Sequence, residues 1–149
     1  MSEHRATVEW SWNGRDFAYE TYSRLHRWVF DGEISIPGRA APENIPKTSP
    51  SGPGVDPEQA FVASLSSCHM LWFLHLACEK KWVVEHYTDE AVGLLDKTWM
   101  SKVTLRPLVR FSGRAPRDEE HRALHERAHE KCFIANSVKT EVVVEPRIA

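Results

Sequence analysis

The stretch from Asp56 to Lys80 reads DPEQAFVASLSSCHMLWFLHLACEK and decides the fold. Its opening Asp-Pro-Glu-Gln is typical of a helix start: an N-cap, a proline at the first helical position, and a Gln that can reach back to the cap. From Gln59 to Cys78 there is no Asp, Glu, Lys or Arg, and apolar residues occupy the whole circumference. The sequence therefore predicts a long central helix, covered by sheet or partly by a second subunit.

Length and charge limit the classes of protein that could contain this helix. A chain of 149 residues can bury one core without a disulfide scaffold or a structural metal, so we expect a single domain over 1–149. The net charge of −2 gives no general attraction for phosphate backbones, and we expect no nucleic-acid partner. The start of the chain lacks a signal peptide's apolar run, and three Cys are too few for a secreted framework. We expect a cytoplasmic protein.

Strands are expected before the helix. Val8, Trp10 and Trp12 alternate with polar residues, and Asn13-Gly14 predicts a hairpin turn. A second extended stretch runs from Tyr22 to Phe30 and ends at the turn signal Asp31-Gly32. Residues 37–56 contain five Pro and three Gly and are predicted to form a loop within the domain, a flap over its body.

The chain after the helix alternates strand and helix signals. Val103 to Phe111 alternates like a strand, and Pro107 places that strand at a sheet edge or a bulge. Asp118 is predicted to cap a second helix that ends at Lys131, and Thr140 to Glu145 is predicted to be a closing strand. The second helix has a thin apolar stripe along one side, formed by His121, Leu124, His125, Ala128 and Cys132.

Two cysteines lie on these two predicted helices. Cys68 lies midway along the charge-free helix, and Cys132 lies where the second helix ends. Two thiols on two helices indicate a redox pair. Cys78 is about 15 Å further along the first helix than Cys68, so it cannot share that site, and we interpret it as packing. Although the helix is long enough to cross a membrane, its Ser and His residues and the surrounding strands argue against a membrane protein.

With these residues in place, the chain resembles the OsmC/Ohr hydroperoxide-reductase superfamily. The resemblance rests on Asp56-Pro57-Glu58-Gln59-Ala60-Phe61, on Cys68 ten residues after the glutamate, and on Leu124-His125 through Ala128-His129-Glu130-Lys131-Cys132. It implies an α+β fold in which antiparallel sheets of an intertwined dimer wrap the central helices. It also implies a thiol peroxidase acting on organic hydroperoxides, with a small thiol or a lipoyl group as reductant. Phe133 follows Cys132 where many members have Pro.

Peroxide reduction assigns a role to each thiol. Cys68 fits the attacking role, which yields a sulfenic acid, and Cys132 fits the resolving role, which yields a disulfide. Because an apolar setting raises a thiol pKa, a cation has to favour the Cys68 thiolate. Arg24, on the aromatic face of its predicted strand, is the best candidate, and Arg27 is the second. The resemblance implies that this arginine pairs with Glu58.

Helix geometry separates Glu58 from Cys68. Ten residues rise roughly 15 Å, so either the helix breaks between them or Glu58 serves the Cys68 of another subunit. The all-round apolar helix favours the second arrangement, a homodimer with composite sites. This reading requires no cofactor and no metal.

Two other functions fit parts of the same sequence. His125, His129 and Cys132 have the spacing of a zinc ladder, with His69 or Cys68 as a fourth ligand. Alternatively, the flap and the six Trp could enclose an apolar ligand, in which case the protein is a binder and the cysteines are incidental.

Overall fold

A computed structural model describes all residues from Met1 to Ala149. The chain divides into two compact units, Met1–Ala60 and Phe61–Ala149, and each unit is described by itself. The expectation of one domain over 1–149 stays a prediction. The fold is α+β, as predicted, with two α-helices and three three-stranded sheets.

The first unit contains an antiparallel sheet in the order β1-β2-β3. The hairpin predicted at Asn13-Gly14 is wrong, because β1 pairs with β2 across the intervening residues. Instead of continuing β1, Trp10 donates its indole N–H to the carbonyl oxygen of Ser23 at 2.8 Å, which fixes the chain in an irregular path. The strands are β1 Thr7–Glu9, β2 His26–Phe30 and β3 Ile34–Gly38.

Turns and loops complete the first unit. The predicted turn at Asp31-Gly32 is present as a short 3₁₀ segment, in which Gly32 has φ +74°, a conformation that glycine adopts without strain. The predicted loop over 37–56 begins slightly later than expected, because Pro37 and Gly38 belong to β3. Its one regular element is a 3₁₀ turn at Pro42–Asn44.

Helix α1 runs without interruption over Pro57–Glu79. The predicted start is confirmed: the Gln59 N–H donates to Asp56 Oδ1 at 2.8 Å, and the Asp56 N–H donates to Gln59 Oε1 at 3.3 Å. The chain leaves the helix through Lys81, which has a positive φ of 59°. Length and composition alone would let α1 cross a membrane, but one of its faces packs against strands of the second unit.

The second unit has two mixed sheets, in the orders β4-β7-β9 and β5-β6-β8. In each sheet two antiparallel strands are extended by a parallel strand from the end of the chain. The closing strand predicted over Thr140 to Glu145 is β8. The six strands are β4 Val83–Asp89, β5 Val92–Asp96, β6 Trp99–Leu105, β7 Pro107–Ser112, β8 Glu141–Val144 and β9 Arg147–Ile148.

The prediction for Pro107 is wrong. The expected single strand breaks at Arg106, whose backbone N–H donates to Asp89 Oδ1 at 2.6 Å. Pro107 then starts β7, which lies in the centre of its sheet. A proline is tolerated there because it occupies the first residue of the strand.

Helix α2 spans Asp118–Lys131. Its N-cap is Arg117 and not Asp118 as predicted, because Glu120 Oε2 accepts a hydrogen bond from the Arg117 N–H at 2.9 Å. The predicted stripe is confirmed, and all five of its residues are buried.

Two apolar clusters bury one face of α1. Near the start of the helix, Leu65 packs with Val103 and Leu105 of β6. Further along, Phe73 contributes to a cluster that includes α2 and β7. The buried members of that second cluster are Phe73, Leu76, Ala77, Val109, Leu124 and Ala128.

Candidate functional site

Cys68 lies at an apolar groove on α1. Its side chain is half-buried, and the groove has a volume of about 270 Å³. The side chains of Leu71 and Phe133 remain 62% and 68% exposed, and Trp72 packs edge-on against Phe133. The groove is lined by Cys68, Leu71, Trp72, His75 and Phe133.

Cys132 lies directly behind this groove. It caps the C-terminus of α2, is 1% exposed, and accepts a hydrogen bond on Sγ from the Ala135 N–H at 3.4 Å. Burial, together with the neighbouring Cys68 thiol, raises the pKa of the Cys132 thiol to about 11. The structure therefore brings together the two thiols that the sequence singled out. At neutral pH, Cys132 is a protonated thiol in contact with a more accessible one.

Cys78 does not pack as predicted, because its side chain is exposed near the end of α1. The charge-free run suggested burial all round the helix. That part of α1 is buried on one face only, the face that carries Leu76 and Ala77.

Arg24 has the aromatic setting that the sequence indicated, although it precedes β2. Its guanidinium lies 3.8 Å from the centroid of the Tyr22 ring and donates to Ser49 Oγ at 2.6 Å. No carboxylate of the chain pairs with Arg24. Arg27, the second candidate, is occupied by an exposed ion pair with Glu9 at 2.7 Å.

Glu58 is held in the first turn of α1, and its Oε2 is buried without a hydrogen-bond partner. Because α1 is unbroken, the arrangement in which a helix break brings Glu58 to Cys68 is excluded. The implied ion pair between Arg24 and Glu58 does not form within the chain. The roles of both residues stay predictions.

A row of buried histidines was only partly visible in the sequence. His69 Nε2 lies 2.9 Å from His125 Nδ1, and His125 Nε2 lies 3.2 Å from His121 Nε2. Burial lowers the pKa of His69 to about 4 and that of His125 to about 2, and it lowers the pKa of His121 as well. The i, i+4 spacing of His121 and His125 on α2 was a usable signal. The sequence offered His69, on α1, only as a fourth zinc ligand, and nothing local indicated its hydrogen bond with His125.

The donor set of the zinc alternative does not assemble. No three His, Cys, Asp or Glu side chains converge in a geometry that could hold a metal ion. The reason is that both ring nitrogens of His125 face other histidines, while Cys132 faces Cys68.

Comparison with known proteins decides the family. The profile described as OsmC-like protein matches residues 49–147. The chain belongs to the OsmC-like family. An OsmC-like protein of unknown function from Vibrio cholerae is 49% identical to it, with a TM-score of 0.91 over 98% of this chain and 99% of that one. No curated protein matches the chain.

More distant structures share the OsmC-like fold. The organic hydroperoxide resistance protein OsmC of Legionella pneumophila is 19% identical, with a TM-score of 0.65 over 100% of this chain and 98% of that one. The organic hydroperoxide resistance protein OhrB of Bacillus subtilis is 16% identical, with a TM-score of 0.63 over 99% and 98%. At these identities the likeness establishes the fold alone. The family model over residues 49–147 and the relative from Vibrio cholerae confirm the resemblance seen in the sequence.

Proposed function

We propose that this OsmC-like protein is a thiol peroxidase that reduces organic hydroperoxides to alcohols. One observation carries the proposal: the half-buried Cys68 lies at an apolar groove with the buried Cys132 thiol beside it. An accessible sulfur is needed to meet a peroxide. A second sulfur within reach is needed to capture the product before further oxidation.

The two steps of the proposed reaction balance without a cofactor. The Cys68 thiolate attacks one peroxide oxygen, the O–O bond breaks, and the alkoxide leaves with a proton as the alcohol. The sulfenic acid on Cys68 is then attacked by the sulfur of Cys132. The S–O bond breaks, and the departing hydroxide takes the Cys132 proton and leaves as water. An external thiol or a lipoyl dithiol reduces the resulting disulfide by exchange.

The groove supports a preference for organic peroxides over hydrogen peroxide. Leu71, Trp72 and Phe133 offer apolar surface next to the attacking sulfur. Burying a hydrocarbon group there contributes roughly 25 cal/mol for each Å² removed from water. Hydrogen peroxide has no such group and gains nothing from this surface.

We extend the proposal to a homodimer in which Arg24 and Glu58 of one subunit orient the peroxide at Cys68 of the other. Two observations on the side chains support this arrangement: Glu58 Oε2 is buried without a partner, and no carboxylate of the chain pairs with Arg24. The rise of roughly 15 Å between Glu58 and Cys68 on an unbroken helix supports it as well. A cycle that needs thiol reductants fits a reducing cytoplasm.

One titration tests the reaction. The reduced protein receives one equivalent of cumene hydroperoxide, and intact mass and peptide mapping follow. We expect a loss of two hydrogens, located in a peptide pair that joins Cys68 to Cys132. If both cysteines remain open to alkylation after the treatment, the peroxidase proposal is wrong.

The same titration separates a second candidate function, the binding of an apolar ligand. The exposed Leu71 and Phe133 beside an open groove favour this candidate. A protein that only binds an apolar ligand would take up cumyl alcohol as readily as cumene hydroperoxide and would leave both thiols unchanged.

A further inference from the structure

The buried histidine array, defined as His69, His125 and His121, has no place in the reaction described above. The exposed fractions of its three residues are 1%, 1% and 2%. The rings of His69 and His125 are parallel, and the ring of Phe73 stacks on His125 with centroids 4.1 Å apart. The array is therefore a fixed part of the interior and not a surface feature.

Hydrogen bonding joins these rings in series. A neutral imidazole has one N–H and one lone pair, so the three rings satisfy both links only when all of them donate in the same direction. The link from His69 to His125 is the only side-chain hydrogen bond between α1 and α2. Its loss would leave the two helices joined by apolar packing and by the contact of the Lys131 ammonium with the Trp72 ring at 5.2 Å.

Folding stability alone does not account for the array. The Nδ1 atom of His69 is buried without a partner, and burying an unpaired polar group costs free energy. Three apolar side chains of similar volume would pack between the helices without that cost. A role beyond packing is the remaining explanation for polar groups at this position.

The array lies on the same two helices that place the two thiols. His69 follows Cys68 directly on α1, and His125 precedes Cys132 by about two turns of α2. A disulfide requires α-carbons within about 4.4 to 6.8 Å of each other. A small sliding of one helix along the other is therefore enough to prevent the bond.

We propose that the histidine array is a positioning element that holds α1 and α2 in the register at which Cys132 can attack the sulfur of Cys68. This inference rests on the proposed two-thiol peroxidase. The array touches neither substrate nor the reacting sulfurs, and it acts only through the placement of the helices. Its removal should slow the closing of the disulfide and leave the first attack on peroxide intact.

Three variants of His125 test this assignment. His125→Phe keeps an aromatic ring against Phe73 and removes both hydrogen bonds. His125→Asn retains a polar atom near the Nδ1 position that faces His69, whereas His125→Gln retains one near the Nε2 position that faces His121. Phe73→Leu is the matched control, because it disturbs the same cluster without touching a hydrogen bond.

Two rates are measured in each variant, after thermal melting has established that it is folded. The first is the loss of the alkylatable Cys68 thiol with cumene hydroperoxide, and the second is the formation of the Cys68–Cys132 disulfide. We expect His125→Phe to lower the second rate at least about tenfold, with sulfinic acid accumulating on Cys68 and the first rate within about twofold of wild type. Phe73→Leu should lower the melting temperature and leave the partition between disulfide and sulfinic acid unchanged.

The Asn and Gln variants give an independent result. If the link between the helices is what matters, His125→Asn should recover more of the closing rate than His125→Gln. Equal closing rates in these two variants, or a wild-type partition in His125→Phe, would overturn the proposal. Should His125→Phe fail to fold, the comparison of Asn with Gln decides the question alone.

A peroxide-independent oxidant separates this proposal from the proposed function. Diamide takes two electrons and two protons from a pair of thiols and becomes the hydrazine, so it closes the disulfide without a sulfenic acid. Slow closing with diamide in His125→Phe supports the positioning role even if no variant consumes peroxide. If wild type and His125→Phe form the disulfide equally fast with diamide, the array does not set the register of α1 and α2.

Discussion

The two faces of α1 depart from ordinary burial in opposite ways. The groove face, with Cys68, Leu71 and Trp72, leaves apolar side chains open to solvent. The packed face, with Leu65, His69 and Phe73, buries an imidazole among apolar residues. Exposed apolar surface and buried polar groups are the two departures that most often mark function. One helix therefore combines an exposed apolar surface beside a thiol with a packed face that buries a polar ring.

The cysteine variants should separate the two faces most strongly. Cys68→Ser removes the nucleophile at the groove and should lower turnover of cumene hydroperoxide by at least about a thousandfold. Cys132→Ser keeps the nucleophile, so one equivalent of peroxide should still be consumed, after which Cys68 passes to the sulfinic acid. Peroxide consumption and intact mass report both results. Equal and mild losses in the two variants would contradict the assigned roles.

The packed face should be the one that carries stability. Phe73→Ala removes a fully buried ring from the cluster between α1, α2 and β7, and we expect it to lower the free energy of unfolding by about 3–5 kcal/mol. Chemical denaturation measures this change. A loss below about 1 kcal/mol would mean that the packed face is much looser than the structure shows.

Acid should also act on the packed face. The pKa values of His69 and His125 lie near 4 and 2 in the folded chain, against an ordinary 6.5, so the unfolded chain binds more protons below pH 6.5. Stability is then complete above pH 6.5 and falls by about 1.4 kcal/mol per pH unit for each such imidazole as the pH decreases. Urea unfolding between pH 7 and pH 5 tests this before most carboxylates titrate. A flat profile would contradict the burial of neutral rings.

The groove face should contribute selectivity with little stability. Leu71→Ser removes an exposed apolar side chain, so the free energy of unfolding should change by no more than about 0.5 kcal/mol. The ratio of the turnover rate with cumene hydroperoxide to the turnover rate with hydrogen peroxide should nevertheless fall roughly tenfold. Val83→Ser, at a residue on β4 that is 60% exposed, is the matched control and should leave both rates unchanged. An unchanged ratio in Leu71→Ser would remove the groove from substrate selection.

Local signals predicted much of this molecule. The start of α1, its length and the one-sided stripe of α2 follow from caps and spacing within a few residues, and all three are confirmed. The pairing of β1 with β2 was missed, because a plausible turn at Asn13-Gly14 lay between them and pairing is decided by the whole sheet. Strand β7 was misplaced for a similar reason, since the break at Arg106 depends on Asp89.

The site shows the same division between local and non-local information. Cys68 and Cys132 stood out by residue type and by their places on two helices. The pairing of His69 with His125 did not, because the two residues lie 56 positions apart and a histidine in an apolar run has no distinctive local pattern. The partners of Arg24 and Glu58 were inferred from family resemblance, and the geometry of one chain does not supply them.

The separation of the two thiols along the chain has a thermodynamic consequence. Cys68 and Cys132 are 64 positions apart, so a bond between them would close a large loop in the unfolded chain and reduce its entropy, by an amount equivalent to roughly 4 kcal/mol at room temperature. The oxidised protein should therefore melt at a higher temperature than the reduced one. The melting temperature would then report the redox state. The reductant that restores the thiols would also return the protein to the form that melts at the lower temperature.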